Sequence, residues 1–253
     1  MTLEINLKGK VALVTGGGRG IGRATAVALA EAGADVCVTA RTADQLKETA
    51  ELIRDKGRST LAIPADATDS KAVANVAART IRELGGLHLL INNAGMELLK
   101  PLIDTSESEY DQVMKTNMKS MFLFKKAVGP YFISQTYGRI VNITSVGAFV
   151  AAPNQSIYHA SKAAVAHFTK AAAIEWARYN IRVNAVAPGW VRTEMIKHLL
   201  DDPEMLGRYL KPIPLRRLGE PEEIAPIVAF LCSDLSSFMT GTVVVIDGGL
   251  MIP

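Results

Sequence analysis

Ser145, Tyr158 and Lys162 stand thirteen and four residues apart and carry the first chemical signal in the chain. In a helix, the spacing Tyr158-x-x-x-Lys162 puts a phenol and an ammonium one turn apart on the same face, so both reach one cleft. A free tyrosine has a pKa of about 10 and exchanges protons poorly near neutrality. A neighbouring cation favours the phenolate and brings that value down. The pair reads as an acid–base group, with Ser145 as a third candidate for the same site. A second signal lies upstream, in Thr15-Gly16-Gly17-Gly18-Arg19-Gly20-Ile21-Gly22. Gly16, Gly20 and Gly22 permit a tight turn and let a pyrophosphate approach backbone N–H groups at the start of a helix. A plain strand-to-helix connection uses the same residues. The Gly-x-x-x-Gly-x-Gly spacing also departs from the usual Gly-x-Gly-x-x-Gly fingerprint.

Strands alternating with helices are needed to bring these distant segments together. The runs 10–15, 35–40, 59–63, 87–92, 139–144, 182–187 and 242–246 are nearly all apolar, as strands buried on both faces are. Helical patterns fill 20–32, 43–56, 70–84, 106–134, 155–179 and 222–233. This alternation predicts an α/β fold, a Rossmann-type doubly wound parallel sheet of about seven strands with helices on both faces. Ligands then collect at the carboxyl ends of the strands. A length of 253 residues predicts one domain over 1–253. The proline-marked stretch 188–221 is long for a connection and reads as a substrate-loop insertion.

The second strand ends Thr39-Ala40-Arg41-Thr42, without the carboxylate that would accept from a ribose 2′-OH. Arg41 and Arg19 suit a 2′-phosphate, or are solvated surface arginines. NADP(H) is therefore the expected cofactor. Asp66, after the third strand, is either an acceptor for an adenine amino group or part of a turn and helix cap.

With these residues in view, the chain resembles the short-chain dehydrogenase/reductase family over nearly its whole length. The resemblance rests on Thr15-Gly16-x-x-x-Gly20-x-Gly22, Asn92-Asn93-Ala94-Gly95, Asn117, Ser145, Tyr158-x-Ala160-Ser161-Lys162 and Pro188-Gly189, in that order. It implies that Tyr158 exchanges the proton, that Lys162 lowers the tyrosine pKa and binds the nicotinamide ribose, and that Ser145 donates to the substrate oxygen. It implies that Asn117 holds a water joining Lys162 to solvent. It also assigns cofactor contacts to Ile21, Thr42, Asn93, Ala94, Gly95, Pro188, Gly189, Val191 and Thr193, and a homotetramer built through the two long helices and the C-terminal segment.

The expected activity is reversible reduction of a small or medium, largely apolar ketone or aldehyde. The expected pocket is built from Met96 and Glu97, residues 146–153 and the loop 190–217, with a mainly apolar lining of Met96, Phe149, Trp190, Met195, Leu199, Met205 and Leu206. A 3-oxoacyl-acyl-carrier-protein reductase would want a basic rim, for which Lys125, Lys126 and Arg178 are the candidates. A sugar dehydrogenase would want clustered polar groups, which the loop sequence lacks. A nucleotide-sensing regulator without catalysis is disfavoured by the intact set Asn117, Ser145, Tyr158 and Lys162. The four histidines show no metal-ligand spacing, so no metal is expected. A net charge of +3 without a basic block argues against nucleic acid. Met1 to Lys10 lacks a leader's apolar core, no run spans a membrane, and Cys37 and Cys232 read as buried thiols in the cytoplasm.

Overall fold

The computed structural model describes residues 4–252, so Met1 to Leu3 and Pro253, the ends of the expected 1–253 domain, lie outside the described residues. Seven parallel strands form one sheet in the order β3-β2-β1-β4-β5-β6-β7. They are β1 Val11–Thr15, β2 Asp35–Ala40, β3 Thr60–Pro64, β4 Leu89–Asn92, β5 Gly138–Ile143, β6 Ile181–Pro188 and β7 Val243–Ile246. Every residue of β1, β4, β5 and β6 is buried, which is why these segments read as mainly apolar runs rather than alternating ones, with buried exceptions including Arg139, Asn142, Arg182 and Asn184. The chain runs outward through β2 and β3, then returns to β4 on the other side of β1. That reversal opens a crevice beyond the carboxyl ends of β1 and β4.

Helices cover both faces. On one side α1 Gly20–Glu31, α2 Ala43–Asp55 and α9 Pro221–Cys232 bury Leu29, Leu46, Ile53 and Val228 against Val14, Val36 and Val186. On the other, α3 Ser70–Leu84, α5 Ser120–Ser134 and α6 Ser156–Trp176 bury Val76, Phe124, Phe132 and Ala172 against Leu13, Leu90 and Val183. A chain of buried amides fastens α6 to the sheet. Asn92 Nδ2 donates to Asn142 Oδ1 at 2.9 Å, and Asn142 Nδ2 donates to Thr169 Oγ1 at 2.8 Å. Among the described residues no helix is long and apolar enough to cross a membrane. Both cysteines are free and buried.

Two elements differ from the sequence reading. The helix expected over 106–134 is split into α4 Glu107–Met114 and α5 by a π turn, Lys115–Lys119. The stretch 188–221 is not irregular throughout, since it folds into α7 Lys197–Leu200 and α8 Pro203–Leu210. Asp202 caps α8 by accepting from Met205 N at 3.0 Å, and Pro203 opens it.

Candidate active site

A cleft of about 870 Å³ runs along the carboxyl edge of the sheet. Its nucleotide end is built by the glycine turn. Gly16 has φ +64°, in the left-handed region that favours glycine. A Cβ on Gly22 would run into the Gly16 carbonyl and the Asn93 amide, so Gly22 serves close packing and lies off the cleft wall. Asn93 locks the turn to the end of β4: its Nδ2 donates to Thr15 O at 3.0 Å and Gly16 O at 3.1 Å. Arg23, which the sequence reading missed, braces the same turn through Gly18 O at 2.6 Å and Glu48 at 2.7 Å. Arg19, the residue before α1, makes no side-chain cap, and the first turn carries no acid. The leading N–H groups of α1 thus face the cleft as anion donors.

Arg19, Gly20, Ile21, Arg41, Thr42 and Asp66 line this end, followed by Asn93, Ala94, Gly95, Pro188, Gly189, Val191 and Thr193. Arg19 and Arg41 are exposed, and neither forms an ion pair with a described residue. Asp66 Oδ1 accepts from Thr68 N at 2.8 Å and Thr68 Oγ1 at 2.9 Å, while Asp69 caps α3. Those bonds hold the Asp66 carboxyl below its usual range. The turn reading of Asp66 thus holds, and the residue also faces the cleft. Glycine turn, unfilled helix N-terminus and paired arginines fit a dinucleotide phosphate.

Ser145, Tyr158 and Lys162 line the other half of the cleft. Ser145 follows β5 in extended conformation, its Oγ accepting from Gly147 N at 3.1 Å. Tyr158 and Lys162 lie one turn apart on α6, with Nζ 5.7 Å from the phenol ring centre. Lys162 Nζ donates to Ile143 O at 3.0 Å, and Thr144 Oγ1 donates to Lys162 O at 2.8 Å, so the lysine is fixed at both ends. Burial pushes the Lys162 ammonium down to about 8. Burial also pushes the Tyr158 phenol up to about 12, against the pull of Ser145 and helped by the charge of Glu97. The expected lowering of the tyrosine is therefore corrected: burial sets the direction of its shift, and near neutrality Tyr158 is a protonated acid.

Asn117 sits in the π turn, 1% exposed and off the cleft wall. Its Oδ1 accepts from Met96 N at 2.8 Å, and its Nδ2 donates to Met96 O at 2.9 Å and Ser161 Oγ at 2.9 Å. It therefore ties the segment after β4 to α6 beside Lys162: a Cβ on Gly95 would lie 3.4 Å from Asn117 Oδ1 and 3.5 Å from Lys162 Nζ.

The expected substrate lining is only partly assembled. Trp190 and Met195 face the cleft, whereas Met96, Phe149, Leu199, Met205 and Leu206 do not line it. Leu199 is fully buried with Ile196 and Leu218, and Met205 and Leu206 pack onto that cluster, which forms the loop's own small core. Phe149 is 46% exposed. Tyr209 takes their place, edge-on to Trp190 at 4.7 Å. The lining is also more polar than expected, because Glu97, Gln112, Gln155 and His159 contribute to it. Lys125 drops out of the expected basic rim: it is 2% exposed, with Nζ 4.0 Å over the Phe168 ring, and burial pushes it down to about 7.

Comparison with known proteins agrees with this geometry. A family model described as enoyl-(acyl carrier protein) reductase matches residues 16–251. The oxidoreductase UcpA of Salmonella typhimurium is 41% identical over 98% of this chain and 96% of its own length. The 3-oxoacyl-[acyl-carrier-protein] reductase FabG of Aquifex aeolicus is 39% identical over 98% of this chain and 100% of its own. The structure of a gluconate 5-dehydrogenase from Burkholderia cenocepacia, in complex with NADP and tartrate, is 33% identical. It superposes with a TM-score of 0.94 over 99% of this chain and 98% of that one.

Proposed function

Given that the chain belongs to the short-chain dehydrogenase/reductase family, oxidoreductases of CH–OH groups that use a nicotinamide cofactor, we propose that it is an NADP(H)-dependent carbonyl reductase. The observation that carries this reading is the meeting of Ser145, Tyr158 and Lys162 on one wall of the cleft that the glycine turn opens. The reduced nicotinamide, when bound, supplies a hydride to the carbonyl carbon and leaves oxidised. Tyr158 gives its proton to the carbonyl oxygen, and solvent restores it. Ser145 donates to the same oxygen as negative charge grows there. The Lys162 ammonium, charged below about 8, favours the phenolate that proton donation leaves behind. Asn117 is a positioning residue that holds the Met96 backbone and Ser161 beside this group.

Arg19 and Arg41 support the phosphorylated cofactor, since two guanidinium groups without ion-pair partners among the described residues line the nucleotide end and suit a ribose 2′-phosphate. Reduction of a 3-oxoacyl thioester is one instance of the same chemistry and is the named activity of one relative. The substrate is a small or medium carbonyl compound held against Trp190, Met195 and Tyr209. A homotetramer through α5, α6 and the C-terminal segment is part of this reading. Phe122, Ile174 and Phe238, exposed by 46%, 81% and 104%, support it. A cytoplasmic location is part of the same reading, supported by two free, buried thiols. Absorbance of NADPH and NADH over a panel of ketones, diketones, acyl thioesters and sugars tests the reading. Faster oxidation of NADPH with at least one ketone is expected; a wild-type preference for NADH would remove the cofactor assignment.

A further inference from the structure

Glu97 is the group in the substrate half of the cleft that the proton-transfer chemistry leaves unused. It follows β4 and lines the cleft with Tyr158, His159 and Gln155. Gln155 Nε2 donates to its Oε1 at 2.7 Å, and among the described residues the carboxylate takes no cation partner. Gln155 itself is 4% exposed and precedes α6, three residues before Tyr158. The clamp therefore fixes a carboxylate close enough for its charge to act on the Tyr158 phenol, with no hydrogen bond to Oε2 among the described residues. Burial pushes this carboxyl up to about 7, the sign of a charge the protein itself does not compensate. Lys115, which also lines the cleft, is exposed and turned to Asp111 at 3.7 Å.

Resting on the reductase reading, we propose that Glu97 is the specificity-determining residue of the substrate half, where it accepts a hydrogen bond from a hydroxyl carried one or two carbons from the reacting carbonyl. The preferred substrates are thus hydroxyketones, and simple ketones and keto acids are disfavoured. A ketone leaves a half-buried carboxylate unpaired, and a keto acid sets a second negative charge against it. The remaining carbons of the substrate face Trp190, Met195 and Tyr209.

The test compares 1-hydroxy-2-pentanone, 2-pentanone and 2-oxopentanoate with NADPH. Wild-type kcat/KM for the hydroxyketone should exceed that for 2-pentanone by about tenfold or more, as a charge-assisted hydrogen bond supplies. Glu97→Gln, which keeps the shape and the Gln155 bond, should bring the two within about twofold and raise the rate on 2-oxopentanoate. Gln155→Met, which unpins the carboxylate without removing it, should lower the same ratio. A ratio unchanged in Glu97→Gln, or a wild-type preference for 2-oxopentanoate, overturns the proposal. Should the wild type reduce none of the three, thermal protection by 1,2-pentanediol against 2-pentanol, with NADP+ present, reads the same choice without turnover. Equal protection by both overturns the proposal. A reductase blind to the hydroxyl counts against Glu97 alone, whereas a protein that fails to bind NADPH removes the reductase reading and this proposal with it.

Discussion

Replacing Glu97 by glutamine should stabilise the protein at alkaline pH and leave it unchanged in mild acid. The Glu97 carboxyl has a pKa of about 7 in the folded protein against 4.5 for an unburied glutamate, with burial as the main cause and the Gln155 bond opposing it. Above pH 7 both folded and unfolded chains carry the charge, but only the folded chain holds it away from water. The cost is then present in full. As pH falls from 7 towards 4.5 the folded protein takes up a proton that the unfolded chain does not, and the cost disappears. Such a difference corresponds to about 3 kcal/mol for a wholly shielded side chain. Glu97 is partly exposed, and solvent screening reduces this to about 1 kcal/mol. Urea unfolding of wild type and Glu97→Gln at pH 8 and pH 5 measures it. The variant should be more stable by about 1 kcal/mol at pH 8 and equal to wild type at pH 5. A wild type more stable at pH 8, or a gap that does not change with pH, would refute the reasoning.

Gly22→Ala places a Cβ against the Gly16 carbonyl and the Asn93 amide. Thermal unfolding should show a loss of about 1–3 kcal/mol, with weakened NADPH binding by fluorescence titration. Arg41→Asp removes a cation from the nucleotide end and adds an anion there. The ratio of kcat/KM with NADPH to that with NADH should fall by at least about tenfold. Carbonyl reduction should decline as pH rises through about 8, because Lys162 then loses the charge that favours the phenolate. A pH–rate profile flat to pH 10 would contradict that role.

Much of the fold was legible because its strands are buried on both faces, so apolar runs such as Val11–Thr15 and Leu89–Asn92 could scarcely be anything else. The site residues were legible for a related reason: they stand at strand ends and at one-turn helical spacing, positions that sequence order reveals directly. The π turn at Lys115–Lys119 was not, since one wider turn leaves the apolar pattern on either side intact. The α8 helix had a readable start in Asp202-Pro203, a cap followed by a first-turn proline, which the other prolines of the stretch obscured. The tyrosine pKa was misjudged because spacing reports a nearby cation but not the depth of burial that opposes it. Glu97 was placed at the pocket by its position after β4, but its partner Gln155 escaped notice because the two lie 58 residues apart in sequence. Leu199, Met205 and Leu206 read as pocket lining because a loop that builds its own small core has the same composition as one that lines a cleft.

Tyr158 is the proton donor in this account, and Tyr158→Phe removes one hydroxyl while keeping the ring. The decisive measurement is NADPH oxidation by Tyr158→Phe, on whichever ketone the wild type reduces best, alongside NADPH binding by fluorescence. The predicted result is a loss of turnover of about a hundredfold or more with binding close to wild type. Turnover retained at the wild-type rate would contradict it.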